Sequence, residues 1–215
     1  MYTLDSMSGV WVWQGVLKAP YVRTPAHFGH AVAIAGDLVA VGCPGDNSPS
    51  TAVDVDEALD TGNSIGAAHA WRLDAANASA SVREGYLKAY AATPGQSMGK
   101  AVAAAANATH EVIAAASMDS IGPPYGDLSA GLAMPYDTPG SGSGETGEGE
   151  VWTFVHAVGG GGVGTWRAAH RLKAPAGLET ELFGWALTAA TTAAGEMVLG
   201  VGTYAGCKGY VVALP

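Results

Sequence analysis

Three stretches carry residue types at spacings that chemistry uses. Gly95-Gln96-Ser97-Met98-Gly99 fits G-x-S-x-G, in which a serine on a sharp strand-to-helix turn acts as nucleophile. Such a serine needs a histidine base and a carboxylate behind it, and His110, His156 and Asp119 are the residues at hand. Gly159-Gly160-Gly161-Gly162-Val163-Gly164 fits G-x-G-x-x-G, which cradles a pyrophosphate when a strand precedes it and a helix follows, with Glu179 and Glu181 downstream for a ribose. Asp54-Val55-Asp56-Glu57 with Asp60 gathers carboxylates and is the one candidate calcium loop; it lacks the third alternating ligand and the glycine turn. The histidines at 27, 30, 69, 110, 156 and 170 include no i, i+4 pair, and only His27 and His30 bracket a shared turn.

Each motif works only on its proper element, so the elements decide. The chain has 215 residues, 48% hydrophobic and 13% charged, enough apolar surface for a packed core. Its 31 glycines fall in turns between short apolar runs, which favours many short strands over long helices. The net charge of −9 argues against nucleic acid as a partner, because phosphates need cations opposite them. Cys43 and Cys207 are too few for a disulfide scaffold. No run of 18 apolar residues exists, so no membrane span is expected. The opening MYTLDSMSGVWVW lacks the basic and apolar regions of a secretory signal, so the protein is either not secreted or starts further upstream.

The chain repeats itself. Leu17-Lys18-Ala19-Pro20 recurs as Leu87-Lys88-Ala89-Tyr90 and as Leu172-Lys173-Ala174-Pro175. Eleven residues beyond each Leu stand Phe28-Gly29, Met98-Gly99 and Phe183-Gly184. A first apolar run follows each Gly (30–35, 100–106, 185–190), then a second (38–44, 112–117, 197–202), a third (66–73, 149–156, 209–214) and a fourth (83–89, 165–174). Residues 9–19 match the fourth run and are expected to supply the missing outer strand of the last unit. Four strand-length runs per unit, repeated along a chain, predict blades of a β-propeller. The Ala-rich 100–117 taken alone reads as helix, but its aligned copies read as a hairpin.

The order Leu-Lys-Ala, Phe-Gly, apolar hairpin, Gly42-Cys43-Pro44 resembles the FG-GAP repeat, the blade unit of integrin α-subunit propellers and of many surface proteins. The second copy reads Met98-Gly99 with Ala115-Ala116-Ser117, and the third Phe183-Gly184 with Gly200-Val201-Gly202. The resemblance covers residues 9 to 215 and implies an all-β, propeller-like array of three four-stranded antiparallel blades, with units at about 20–89, 90–174 and 175–215 forming one domain. It makes Phe28, Gly29, Gly42, Pro44, Met98, Gly99, Phe183 and Gly184 structural repeat positions. It implies a non-catalytic module for adhesion or ligand binding, at the cell surface or outside the cell, with a protein or glycan ligand held by loops 45–65 and 118–148. The family's calcium loop lies in the first hairpin; here that turn is Ala35-Gly36-Asp37, Ala106 to Thr109 or Ala193 to Glu196, so no family calcium site carries over. Asp54, Asp56 and Asp60 remain the metal candidates, and otherwise no cofactor is expected.

The repeat also reinterprets the motifs. Ser97 holds the position of His27, a turn residue, so a hydrolase using Ser97 is the alternative reading and a purely structural spacer a further one. The glycine run at 159–164 joins a third to a fourth strand. Lys18, Lys88 and Lys173 share one position and are expected to fringe outer strands. Three blades are fewer than the four to eight of propellers, so further blades from a longer chain or another copy are expected.

Overall fold

The computed structural model describes residues 1–21, 26–51, 53–54, 57–74, 77, 80–90, 94–117, 149–158, 165–174, 182–204 and 208–214. Asp56, Asp119, Cys207, the 118–148 loop, the 159–164 glycine run, and Glu179 and Glu181 lie outside these. The described chain is all-β, with no α-helix, and forms four antiparallel sheets.

The first sheet runs in sequence order through β3 (Val32–Ala35), β4 (Leu38–Cys43), β5 (Ala67–Arg72) and β6 (Val82–Leu87), and the second through β7 (Ala101–Ala106), β8 (His110–Ser117), β9 (Glu150–Ala157) and β10 (Arg167–Lys173). Among the described residues the third has only β11 (Phe183–Thr191), β12 (Met197–Thr203) and β13 (Gly209–Leu214). The Ala-rich segment is a hairpin, not a helix. Asn107 turns it, its Oδ1 accepting from the Thr109 and His110 amides at 2.9 and 2.8 Å. Packing then overrides the helical propensity of alanine.

That packing alternates residue by residue. On β7, Val102 and Ala104 face the first sheet and join Leu38, Ala40, Leu87 and Trp152 in one core. Ala103 and Ala105 face the third sheet and join Met197, Leu199, Val212 and Leu214 in another. The middle sheet is therefore covered on both faces, and its first strand, crowded from two sides, has room for little beyond Ala and Val.

The N-terminal run departs from expectation. Trp11–Trp13 (β2) pairs with Tyr2–Leu4 (β1) as a separate two-stranded sheet, so the last unit stays three-stranded. Asp5 explains the local choice: its Oδ1 accepts from the amides of Met7 (2.8 Å) and Ser8 (3.0 Å), closing a turn that Gly9 completes at φ +67. A hairpin with a short loop forms at less loop-closure cost than pairing with a strand some 200 residues away.

Strand pairing also shifts the alignment of the unit's second half, by one residue in the second unit and by two in the third. The Gly29 amide donates to the Gly42 carbonyl at 3.0 Å, and the Gly99 amide to that of Ala116 at 2.8 Å. Gly42 therefore corresponds to Ala116, and by pairing opposite Ala186 to Gly202. Hairpin tips of unequal length hid this register from counting.

Candidate functional site

The Phe-Gly turn has one conformation in all three units. His27, Ser97 and Leu182 have φ of 55, 52 and 51, and the glycines two residues on have φ of 88, 96 and 89. The residue that precedes Phe or Met is thus left-handed in every copy, at a cost of about 1–2 kcal/mol for a side-chain-bearing residue. The strain at Ser97 belongs to the repeat. Its hydroxyl meets the carbonyls of Gly95 at 3.2 Å and Ser64 at 3.5 Å.

These turns are where one sheet seats on the next. A Cβ on Gly99 would press into the Ala67 carbonyl and stand 2.8 Å from the Cys43 nitrogen. A Cβ on Gly184 would stand 2.9 Å from the Ala116 Cβ and the Val151 side chain. Gly42 in turn abuts the Gly99 carbonyl. Met98 and Phe183 are buried beside these seams, whereas Phe28 is only partly buried, against Ala26, Cys43 and Tyr86. Pro44, also buried, leads out of β4 into the first long loop.

The described residues of loop 45–65 carry the most chemistry. Asp46 is buried and its Oδ1 accepts from Tyr86 Oη (2.7 Å), Lys88 Nζ (3.0 Å) and the Ser48 amide (3.0 Å). Lys88 also donates to the Gly66 carbonyl at 2.6 Å. Lys88 therefore does not fringe an edge: it is fully buried and ion-paired, while Lys18 is exposed and Lys173 half-buried. The physical reason is the loop, which folds back over the end of β6 and brings an acid to the amine. Burial and the neighbouring Asp46 charge raise the Tyr86 phenol well above its usual value.

Farther along the loop Glu57 pairs with Arg83. Asp54 donates its amide to the Tyr86 carbonyl and accepts the Tyr86 amide on Oδ1, both at 2.8 Å. Of the metal candidates, Asp54 thus spends a carboxylate oxygen on β6, and Asp60 lies exposed beyond it. Among the described residues no three His, Cys, Asp or Glu side chains gather closely enough to hold an ion. The end of the loop is stitched to the next unit: the Gly95, Ser97 and Met98 amides donate to the carbonyls of Asn63, Ser64 and Ile65 at 2.7, 2.8 and 3.1 Å. Leu59, Asp60, Thr61 and Asn63 form its exposed tip.

Beneath the loop lies His69, fully buried between the rings of Phe28 and Tyr86. Neither ring nitrogen has a hydrogen-bond partner among the described residues, and Glu57 is 4.0 Å from Nδ1. Burial, reinforced by the Arg83 charge, lowers its pKa to about 3. A depressed histidine favours the folded state fully above its ordinary value near 6.5, and that advantage is lost as pH falls toward about 3. The unfolding free energy should drop by about 1.4 kcal/mol per pH unit over this window from this residue alone. In denaturant titrations between pH 6.5 and 4.5, His69→Leu should show a flatter dependence than the parent. Parallel dependences would refute the assignment.

At the opposite end of the first sheet, Arg72 ties two sheets together. It makes paired bonds to Glu84 (3.0 and 2.9 Å) and to Glu111 of the second sheet (2.7 and 2.8 Å), and reaches Asp37 at 2.7 Å. His156 meets the same Glu111 at 3.0 Å. Burial raises the Glu111 pKa, but Arg72 and His156 outweigh it and the net shift is downward. In this network every carboxylate faces a cation, which is the arrangement of a strut.

None of these pairings could be read from single motifs. The available signal was the absence of Lys and Arg between Arg23 and Arg72 while Asp46, Asp54 and Glu57 lie in that interval. Their partners come from the next strand but one. No protein-family model and no curated protein matches the chain.

Proposed function

We propose that the chain is a non-catalytic recognition module, a propeller-like array of FG-GAP-type units whose loops meet a protein or glycan ligand outside the cell or at its surface. What carries the reading is loop 45–65. Its base is fastened by the Asp46–Lys88 and Glu57–Arg83 pairs and by backbone bonds to two units, while its tip at Leu59, Asp60 and Thr61 stands in solvent. A long loop held rigid at its base and exposed at its tip meets a ligand with little ordering cost. Ser97 supports the same reading, since its unusual backbone is shared by His27 and Leu182 and answers to blade geometry.

The test is binding of the intact chain to an immobilised panel of glycans and extracellular-matrix proteins. The parent should bind at least one, and Leu59→Ser with Asp60→Asn should weaken that binding about tenfold or more with the far-ultraviolet spectrum unchanged. Binding indifferent to the tip would overturn the loop assignment. Labelling of the parent by a serine-reactive probe, abolished in Ser97→Ala, would replace recognition with hydrolysis.

A further inference from the structure

The repeat assigns every position in β3, β7 and β11 to one of two faces, and the outermost faces are the two halves of a seam already seen twice. Val102 and Ala104 of β7 face backward onto the first sheet, and Leu187 and Ala189 of β11 face backward onto the second. Their counterparts in β3 are Val32 and Ile34, which are 62% and 61% exposed. In the forward direction Ala33 and Ala35 face the second sheet and Ala103 and Ala105 the third. Their counterparts Thr188 and Ala190 are exposed, as is Val211 beside them at 79%. The docking glycines agree: Gly99 and Gly184 are wedged against the preceding sheet, whereas a Cβ on Gly29 would meet nothing within 4 Å.

The N-terminal segment lies where the preceding sheet would be. Met1 and Leu17 overhang the backward face of the first sheet and line with Phe28, Val32, Ile34 and Val41 an open groove of about 410 Å³. Residues 9–19 have the sequence of a fourth strand, and β13 has no partner on its outer edge among the described residues. Trp11 shares the repeat position of Trp166, which is buried in the first core at 3% exposure, yet Trp11 is 65% exposed. Both described fourth strands, β6 and β10, belong to the sheet before the one that follows them, so by the repeat residues 9–19 would belong to a sheet placed before the first.

We infer that two copies of this chain close head to tail into one ring of six sheets. In each of its two seams the backward face of one copy's first sheet covers the forward face of the other copy's third sheet. Residues 9–19 of the first copy pair with β13 of the second, β1 remaining on the outer edge. The seam is a heterologous contact that closes after two copies, and six sheets fall within the range that propellers adopt, where three do not. The occupant is a second copy because the exposed rows on β3 and β11 are each other's counterparts in an interface this sequence already builds. The register follows from the units: Leu87 pairs with Ala68 and Leu172 with Val151, so Leu17 of one copy should stand opposite Gly209 of the other. The seam needs only the observed stacking, while the ring rests on the propeller reading.

The experiment has two arms. Light scattering of the full chain should give about 43 kDa, twice the 21.6 kDa of one copy. Val32→Asp with Ile34→Asp should return it to one copy with an unchanged far-ultraviolet spectrum, since both side chains are exposed in the single chain. In a Cys207→Ser background, Leu17→Cys with Gly209→Cys should give an oxidised covalent dimer. A species of 21.6 kDa at every concentration, or a cross-link confined to one chain, would overturn the proposal. A dimer that forms no cross-link would overturn the strand pairing, and larger open assemblies would overturn the ring. Loss of ligand binding with the dimer intact would count against recognition alone.

Discussion

Replacing Lys88 by Met should lower stability by about 3–5 kcal/mol, the cost of leaving one charge of a buried pair without its partner. The amine is fully buried and bonded to Asp46 and to the Gly66 carbonyl. Without it Asp46 retains the Tyr86 hydroxyl and the Ser48 amide, neither of which neutralises a carboxylate. Asp46→Asn in the same protein should recover a large part of the loss, because the amide removes the orphaned charge. Lys18→Met, at the same repeat position but exposed, should change stability by about 0.5 kcal/mol or less. The measurement is chemical denaturation of the four proteins with the slope held common. Equal effects at Lys88 and Lys18 would refute the buried pair.

The second large effect concerns the seams. Gly99→Ala should cost about 2–5 kcal/mol, combining positive-φ strain with forced separation of two sheets. The new methyl group meets main-chain atoms of Ala67 and Cys43, which cannot rotate away as a side chain would. For a chain of this size the melting temperature should fall by roughly 10 °C. Gly29→Ala carries the same backbone strain, with φ +88 against +96, but meets open space. At concentrations where the protein is a single copy it should cost only about 1–2 kcal/mol. The difference between the two variants isolates the seam from the dihedral, and indistinguishable melting would remove the contact from the account.

The strands were legible because alternating Val, Ile and Ala occur three times around turns, and comparison of the copies outweighed the helical preference of Ala101–Ala106. The Phe-Gly turn was legible for the same reason: a constant interval from each Leu-Lys-Ala survives the change from Phe28 to Met98. What the repeat concealed is what differs between copies. Lys88 is buried and Lys18 is not, because the loop that carries Asp46 has that partner only in the first unit. Arg72 bridges two sheets through Glu84 and Glu111, which are separated from it by 12 and 39 positions. Charge pairs at such separations leave no local pattern. The N-terminal run resembles an outer strand, and its separate hairpin depends on Asp5, a residue the other units lack.

Gly42 resting on the carbonyl of Gly99 has a consequence for how this architecture can diverge. On the Gly99 side the junction is made of peptide atoms, which every amino acid carries, and on the Gly42 side of an α-carbon that only glycine leaves bare. Substitution around it alters few contacts so long as the bare positions and their intervals persist. Lineages of such units can therefore lose recognisable spelling while preserving metre, as Met98 in place of Phe already illustrates within one polypeptide.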